Sequence, residues 1–384
     1  MTILELARLK EEGSCKAILV TGCLAQRYPK ELTDEIPEID GLLGTGAVPE
    51  IAGAVRDVLS GEKVSLIRSP GFLHDANVPR LQSTPPYTAF LKIAEGCDNC
   101  CSYCIIPRIR GSFKSRPVDD IVSEAANLAA GGVRELVLVA QDTTRYGVDL
   151  YGKPALAGLL KHLAALNGPI WLRLLYTYPD LLSDELIELM AIEKKVCRYL
   201  DMPLQHASNT VLARMNRRGS RDDIVRLIEK LRSALPGVTL RTSFITGFPG
   251  ETETDFLELL DFIREVKFDR VGIFTYSQEE NTAAANMPDQ VPEEIKSERR
   301  DRAMAIQREI SLERNMKKVG SIIPVLIEGL YSMEPFKYFG RSEGDAPDID
   351  GKVYILSNKE LNPGDIVQVL VTGAAEYDLT GELV

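Results

Sequence analysis

Glu95-Gly96-Cys97-Asp98-Asn99-Cys100-Cys101-Ser102-Tyr103-Cys104 follows directly on the apolar run Phe90-Leu91-Lys92-Ile93-Ala94. Cys97, Cys101 and Cys104 therefore stand at C-x3-C-x2-C spacing on what reads as a loop after a buried strand. Three thiolates on one short loop suit a [4Fe-4S] cluster held at three of its irons, with the fourth iron open to bind and reduce a ligand. The stretch also reads as two C-x2-C units, Cys97 with Cys100 and Cys101 with Cys104, which is the pairing of a structural zinc site. Zinc modules usually set their pairs about a dozen or more residues apart, whereas Cys100 and Cys101 are adjacent and must point apart. A disulfide framework fits less well, because seven cysteines is an odd count in a long chain that opens without a signal peptide.

Around this loop the chain carries 384 residues, 45% of them hydrophobic and 26% charged, enough for two or three domains. No apolar run approaches the roughly 18–20 residues that cross a bilayer, so the sequence predicts a cytoplasmic protein without membrane association. The formal net charge of −11 disfavours nucleic acid unless a local basic patch overrides it.

Strand-like runs at Thr88–Ala94, Glu135–Ala140, Ile170–Leu175, Arg198–Met202, Thr239–Ile245 and Val271–Tyr276 are each followed by an amphipathic helical pattern. Such a β-then-α repeat makes a parallel sheet, and six units predict a partial (β/α)6 barrel with ligands at the carboxyl ends of its strands. Before it, a strand in Lys16–Gly22 and a helix in Val48–Leu59 predict a small α/β unit over residues 1–75, joined by a proline-rich linker at 76–87. The barrel domain is expected over 88–315, ending in the charged helix Glu293–Asn315. Five short strand patterns in 316–384, separated by turn signals such as Asn362-Pro363-Gly364-Asp365, predict an antiparallel barrel of oligonucleotide-binding type. From Val319 onward four basic residues face eleven acidic ones, which fits a basic protein partner better than phosphate backbone.

The cysteine stretch, with Tyr103 in the aromatic place, resembles the radical S-adenosylmethionine (SAM) superfamily. Extended through Lys92-Ile93-Ala94-Glu95-Gly96-Cys97 and Ile105-Ile106-Pro107-Arg108, it is similar to the methylthiotransferases. Gly340-Arg341-Ser342-Glu343-Gly344-Asp345-Ala346-Pro347-Asp348-Ile349-Asp350-Gly351 resembles the TRAM domain that ends those enzymes. This segment, together with Ala140–Gly147 and Pro203–Ser208, is similar to the branch acting on small-subunit ribosomal protein S-twelve. The tRNA-modifying branch of MiaB type and a non-catalytic zinc-stabilised binding protein are the alternatives.

The resemblance implies a [4Fe-4S] cluster on Cys97, Cys101 and Cys104 and reductive cleavage of SAM to a deoxyadenosyl radical. It further implies a methylthio group added to an aspartate β-carbon, and a low-potential electron donor such as flavodoxin. The family holds a second, auxiliary cluster with three cysteines of the first domain; only Cys23 matches one of them, so the resemblance implies an amino-terminally truncated chain. Along SAM the family places the loop matching Gly247-Phe248-Pro249-Gly250-Glu251, whose glycines admit close backbone approach and whose acid can cap the next helix. A phosphate loop is the rival there, but no G-K-[ST] follows.

Tyr103, Glu135, Gln141 and Arg241 are the other candidates for contacts to SAM, the last three from their places at or near strand ends. Each reads equally well as an ordinary strand-end polar residue. His206, ending the fourth strand segment, reads first as a buried, satisfied histidine and second as a substrate or cluster contact. Arg108, Arg110, Lys114 and Arg116 suit either an anionic substrate or a solvated face. Cys15 and Cys197, in or beside strands, read as structural thiols.

Overall fold

A computed structural model describes residues 2–384, and the chain divides into two compact units. The smaller comprises residues up to His74 with Ala94–Cys100 and Cys104–Lys114; the larger comprises Asp75–Ile93, Cys101–Tyr103 and Ser115–Val384.

In the smaller unit three short strands, Leu19–Thr21, Gly41–Leu43 and Val64–Leu66, pair in parallel in sequential order. Helix Ile3–Glu11 opens on a capping box in which Thr2 accepts from the Glu5 backbone and the Glu5 side chain answers. It lays Ala7 against Ile18, Ala25, Leu32, Ile39 and Leu42. Lys10 is pinned to the Asp40 carboxylate at 2.6 Å.

The larger unit is built on six parallel strands, Thr88–Lys92, Glu135–Val139, Trp171–Leu174, Val196–Asp201, Thr239–Thr246 and Arg270–Thr275, hydrogen-bonded in sequence order. Their β-branched and aliphatic side chains are buried on both faces, as a parallel sheet covered by helices requires. Helix Glu293–Met316 follows the last strand. Then Ile322–Leu330, Tyr338–Ser342, Val353–Leu356, Ile366–Ala374 and Leu379–Leu383 close into a five-stranded barrel around Val325, Ile327, Val353, Ile355 and Val369. Four of its pairings are antiparallel as the sequence predicts, but Val353–Leu356 pairs in parallel with Leu379–Leu383, the register that closes the barrel. The stretch 76–87, expected as a linker, is fastened to the sheet domain. Arg80 donates to the Phe90 carbonyl and the Glu124 carboxylate, and the Ala76 amide donates to Asp120. Among the described residues no helix is long and apolar enough to cross a membrane.

The small barrel is locked onto the amino ends of the sheet strands by buried charge. Glu135, the first residue of its strand, accepts from Arg173 Nε at 2.8 Å and from Arg341 Nη2 at 2.6 Å, and all three side chains are 2% exposed or less. Burial opposes its charge, but the two guanidinium groups hold the Glu135 carboxyl down at about 2. Arg270 pairs with Asp345 at 2.8 Å, and Asp350 accepts from the Tyr199 hydroxyl at 2.6 Å. Two of the eleven acidic residues counted from Val319 onward, Asp345 and Asp350, are thus spent inside the fold.

Cys197 lies in the same core beside Val137, Trp171 and Tyr199. Burial pushes its thiol up to about 12, against a smaller opposite effect of Arg173. Alkylation of the native chain followed by mass spectrometry is expected to leave Cys197 unmodified, and to label it only after denaturant is added.

Candidate SAM and cluster site

The cysteine loop is shared between the two units. In the smaller one, the Cys97 amide donates to the Gly111 carbonyl at 3.1 Å, and the Phe113 amide donates to the Asp98 carboxylate at 3.1 Å. These bonds fold the chain from Gly96 to Phe113 back on itself. Cys104 lies in the same unit, at the far end of that fold and just before helix Ile106–Arg110. Cys23 starts the short helix Cys23–Arg27, and its sulfur accepts from Arg110 Nε at 3.2 Å while Arg110 also pairs with buried Glu95. Arg110 is therefore occupied within the protein rather than lying on a solvated face.

Cys101 and Tyr103 belong to the larger unit. The intervening Ser102 is tied down three times: its amide donates to Met215 O, its hydroxyl to Arg214 O, and its carbonyl accepts from the Ala284 amide. Those partners follow the fourth and sixth sheet strands, so the carboxyl side of the sheet anchors this half of the loop. Tyr103 packs edge-on to Phe248 with ring centroids 6.5 Å apart. Its hydroxyl is held well above the usual range by burial, with Arg217 opposing and Cys101 adding to the effect. Cys101 Sγ accepts from Arg217 Nη1 at 3.9 Å. Cys97, Cys101 and Cys104 are partly buried, whereas Cys100 is exposed and adopts a positive φ of 50°.

The donors are cysteines at C-x3-C-x2-C spacing, the kind of set that holds three irons of a [4Fe-4S] cluster. Zinc draws its sulfurs to about 2.3 Å from one centre. Among the described residues no three His, Cys, Asp or Glu side chains converge in that way. None of the described cysteines is joined in a disulfide. The charged N–H donor on Cys101 is the kind of outer partner that a ligating thiolate takes.

Gly247-Phe248-Pro249-Gly250-Glu251 follows strand Thr239–Thr246 as expected, but its acid does not cap the helix. Helix Glu253–Val266 has its own capping box in Thr252 and Asp255. Glu251 instead turns back to accept from the Gly247 and Phe248 amides at 2.8 and 3.2 Å, while Arg299 holds its other oxygen at 2.8 Å. His206 is fully buried behind this loop. Its Nδ1 accepts from the Ser208 amide at 2.9 Å, and its Nε2 lies 3.5 Å from Glu251. His206 is thus buried as expected, but only its Nδ1 is hydrogen-bonded, and among the described residues Nε2 has no hydrogen-bond partner.

Gly247 and Gly250 have φ of 72° and 78°. A Cβ on Gly250 would sit 2.2 Å from the Arg214 guanidinium carbon. Gly250→Ala adds to that clash about 1–2 kcal/mol of left-handed strain. The variant is expected to bind SAM at least tenfold more weakly while keeping its melting temperature within a few degrees, as measured by equilibrium dialysis and thermal denaturation.

Two of the candidate SAM contacts lie elsewhere. Glu135 and Arg241 are strand residues, but near the amino ends, where Arg241 pairs with Asp201 at 2.7 Å and with Asp350 at 3.4 Å. The sequence placed them at strand ends without saying which end, and they stay charged there, against the cost of burial, because each is paired with opposite charge: Glu135 with Arg173 and Arg341, and Arg241 with Asp201 and Asp350. Gln141 does follow the carboxyl end of Glu135–Val139. Arg116, fully buried, is consumed by Asp120 and Glu124. Arg217 and Tyr178 were not singled out from sequence. They sit in no motif, and only the fold brings them to Cys101.

Residues 91–263 match the Radical SAM superfamily and residues 319–384 match the TRAM domain. The ribosomal protein uS12 methylthiotransferase RimO of Pelotomaculum thermopropionicum is 65% identical over 383 residues, covering 100% of this chain and 86% of its own length. That of Desulforudis audaxviator is 54% identical over 98% of this chain and 83% of its own. Among solved structures, the radical S-adenosylmethionine methyltransferase TsrM of Kitasatospora setae superposes with a TM-score of 0.53 at 14% identity, over 70% of this chain and 57% of that one. That likeness concerns the fold alone.

Proposed function

The chain belongs to the RimO family of ribosomal protein uS12 methylthiotransferases, and from that premise we propose that Cys97, Cys101 and Cys104 ligate a [4Fe-4S] cluster whose open iron takes SAM. It is a radical SAM enzyme that methylthiolates ribosomal protein uS12. The observation that carries this reading is the C-x3-C-x2-C loop beside the first of six sequential parallel strands, in a chain 65% identical along its length to such an enzyme.

When bound, the cluster supplies the electron that opens a carbon–sulfur bond of SAM. The chain's own part is to bind, orient and exclude water. Gly247 and Gly250, whose positive φ makes the turn and whose missing Cβ leaves room for the Lys296 and Arg214 side chains, shape the loop that would lie along the cofactor, with Glu251, Arg299 and His206 fixing it from behind. Tyr103, on the cysteine loop, and Gln141, just after the second strand, would contact the cofactor. Glu135 and Arg241 hold the terminal barrel in place instead. Cys23, with Arg110 donating to its sulfur, offers a thiolate to a second, auxiliary cluster.

Glu334, Asp348, Glu360, Glu376 and Glu382 remain exposed on the terminal barrel and complement a basic ribosomal protein. The modified atom is an aspartate β-carbon, the electrons come from a low-potential donor such as flavodoxin, and the reaction takes place in the cytoplasm, where ribosomal proteins are made.

The test begins with iron content and the low-temperature EPR spectrum of the anaerobically reconstituted chain, with and without SAM. About four or more irons and a spectrum that changes on adding SAM are expected; stoichiometric zinc with no such spectrum would end the reading. Offering uS12 and tRNA side by side, with mass spectrometry of both, then reads the substrate directly. A methylthio mass gain on tRNA alone would favour the MiaB-type alternative.

A further inference from the structure

Arg217 follows helix Asn209–Arg214 and turns inward past Asn216, whose positive φ of 55° redirects the chain. Its amide donates to the Leu212 carbonyl at 2.9 Å, which fixes the backbone of this turn. The guanidinium lies over the Tyr178 ring with its central carbon 4.0 Å from the centroid, Nη2 donates to the Pro203 carbonyl, and Nη1 reaches Cys101 Sγ at 3.9 Å. Its contacts are thus an aromatic face, a carbonyl oxygen and a sulfur. Stacking and a carbonyl clamp the plane of the fork, so the remaining N–H is aimed at the sulfur without further loss of side-chain freedom.

A hydrogen bond from a cation to a ligating thiolate stabilises the more negative state of the cluster more than the less negative one. Hydrogen bonds to sulfur and local charge are among the factors that set cluster potentials. We propose that Arg217 is a positioning residue for the cluster: clamped by Tyr178 and Pro203, it holds the Cys101 sulfur in its ligating orientation and raises the reduction potential of the cluster that Cys101 ligates. The inference rests on Cys101 being a ligand, as argued above.

The experiment compares the unaltered chain with Arg217→Gln, Arg217→Lys and the neighbouring control Arg218→Gln, whose side chain is exposed. Each is reconstituted anaerobically, its iron is counted, and its cluster is titrated potentiometrically by EPR without SAM. Arg217→Gln is expected to retain its four-iron signal. At a fixed solution potential its reduced-to-oxidised ratio should fall about tenfold, which for a one-electron couple is about 59 mV. Arg217→Lys should fall by less, because the charge stays while the planar fork is lost. Arg218→Gln should not move.

An unchanged potential in Arg217→Gln overturns the proposal, and so does an equal shift in Arg218→Gln, which would mean a general effect of charge. If Arg217→Gln does not fold, Arg217→Lys decides: a potential equal to that of the unaltered chain overturns the proposal and a lower one supports it. Iron missing from the unaltered chain would instead bring down the assignment of the cysteine ligands, and this inference with it.

Discussion

Cys101→Ala is expected to lose its four-iron signal and to cleave SAM only at the background rate, while Cys100→Ala keeps both. The two residues are neighbours and chemically identical, so composition cannot separate them; their settings do. Cys101 is partly buried, its sulfur accepts from Arg217, and Ser102 beside it is fixed by three hydrogen bonds to segments following the sheet strands. Cys100 is exposed on a residue with positive φ. A methyl group at 101 supplies no ligand, and two thiolates do not retain a cubane that three hold. Iron content, the EPR spectrum and release of deoxyadenosine check the result together. Unchanged iron in Cys101→Ala would sink the ligand assignment.

Glu135→Ala is expected to destabilise the larger unit by about 3–5 kcal/mol, because it leaves the Arg173 and Arg341 guanidinium groups buried and uncompensated. The carboxylate joins strand Glu135–Val139 to the terminal barrel, so its loss should lower the urea midpoint of both parts together. The same pair gives stability a pH dependence of definite sign. The carboxyl is near 2 when folded, against an ordinary value of 4.5. Its contribution, roughly 3 kcal/mol, is therefore fully present above about pH 4.5 and is lost as pH falls through 2. Urea melts of the parent between pH 6 and pH 2.5 should show this loss, and melts of Glu135→Ala should show correspondingly less of it. A variant as stable as its parent, with the same acid limb, would remove Glu135 from the lock. Glu135→Leu, which fills the volume without charge, should be no better, since both arginines still lack a partner.

Much of the architecture was legible in the chain itself. The six strand-then-helix units, the five short strands after Val319 and the C-x3-C-x2-C loop are written in periodicity and spacing, which act over a few residues and survive without knowledge of distant partners. The glycine loop after the fifth strand was legible for the same reason. What misled was charge. Glu135 and Arg241 read equally as SAM contacts or as ordinary strand-end polar residues, and Asp345 and Asp350 counted toward the acidic excess of the terminal barrel, until the fold placed them against opposite charge.

The sequence by itself determined the cysteine spacing, the parallel sheet and the terminal barrel, because each is fixed by local pattern. Only the tertiary structure decided which charges are internal and which cysteines, Cys23 and Cys101, have an arginine on their sulfur. Arg341 reaches Glu135 across 206 positions of chain and Arg217 reaches Cys101 across 116. The role of a charged group depends on what lies within a few ångströms of it once water is gone, and that is a property of the packed fold.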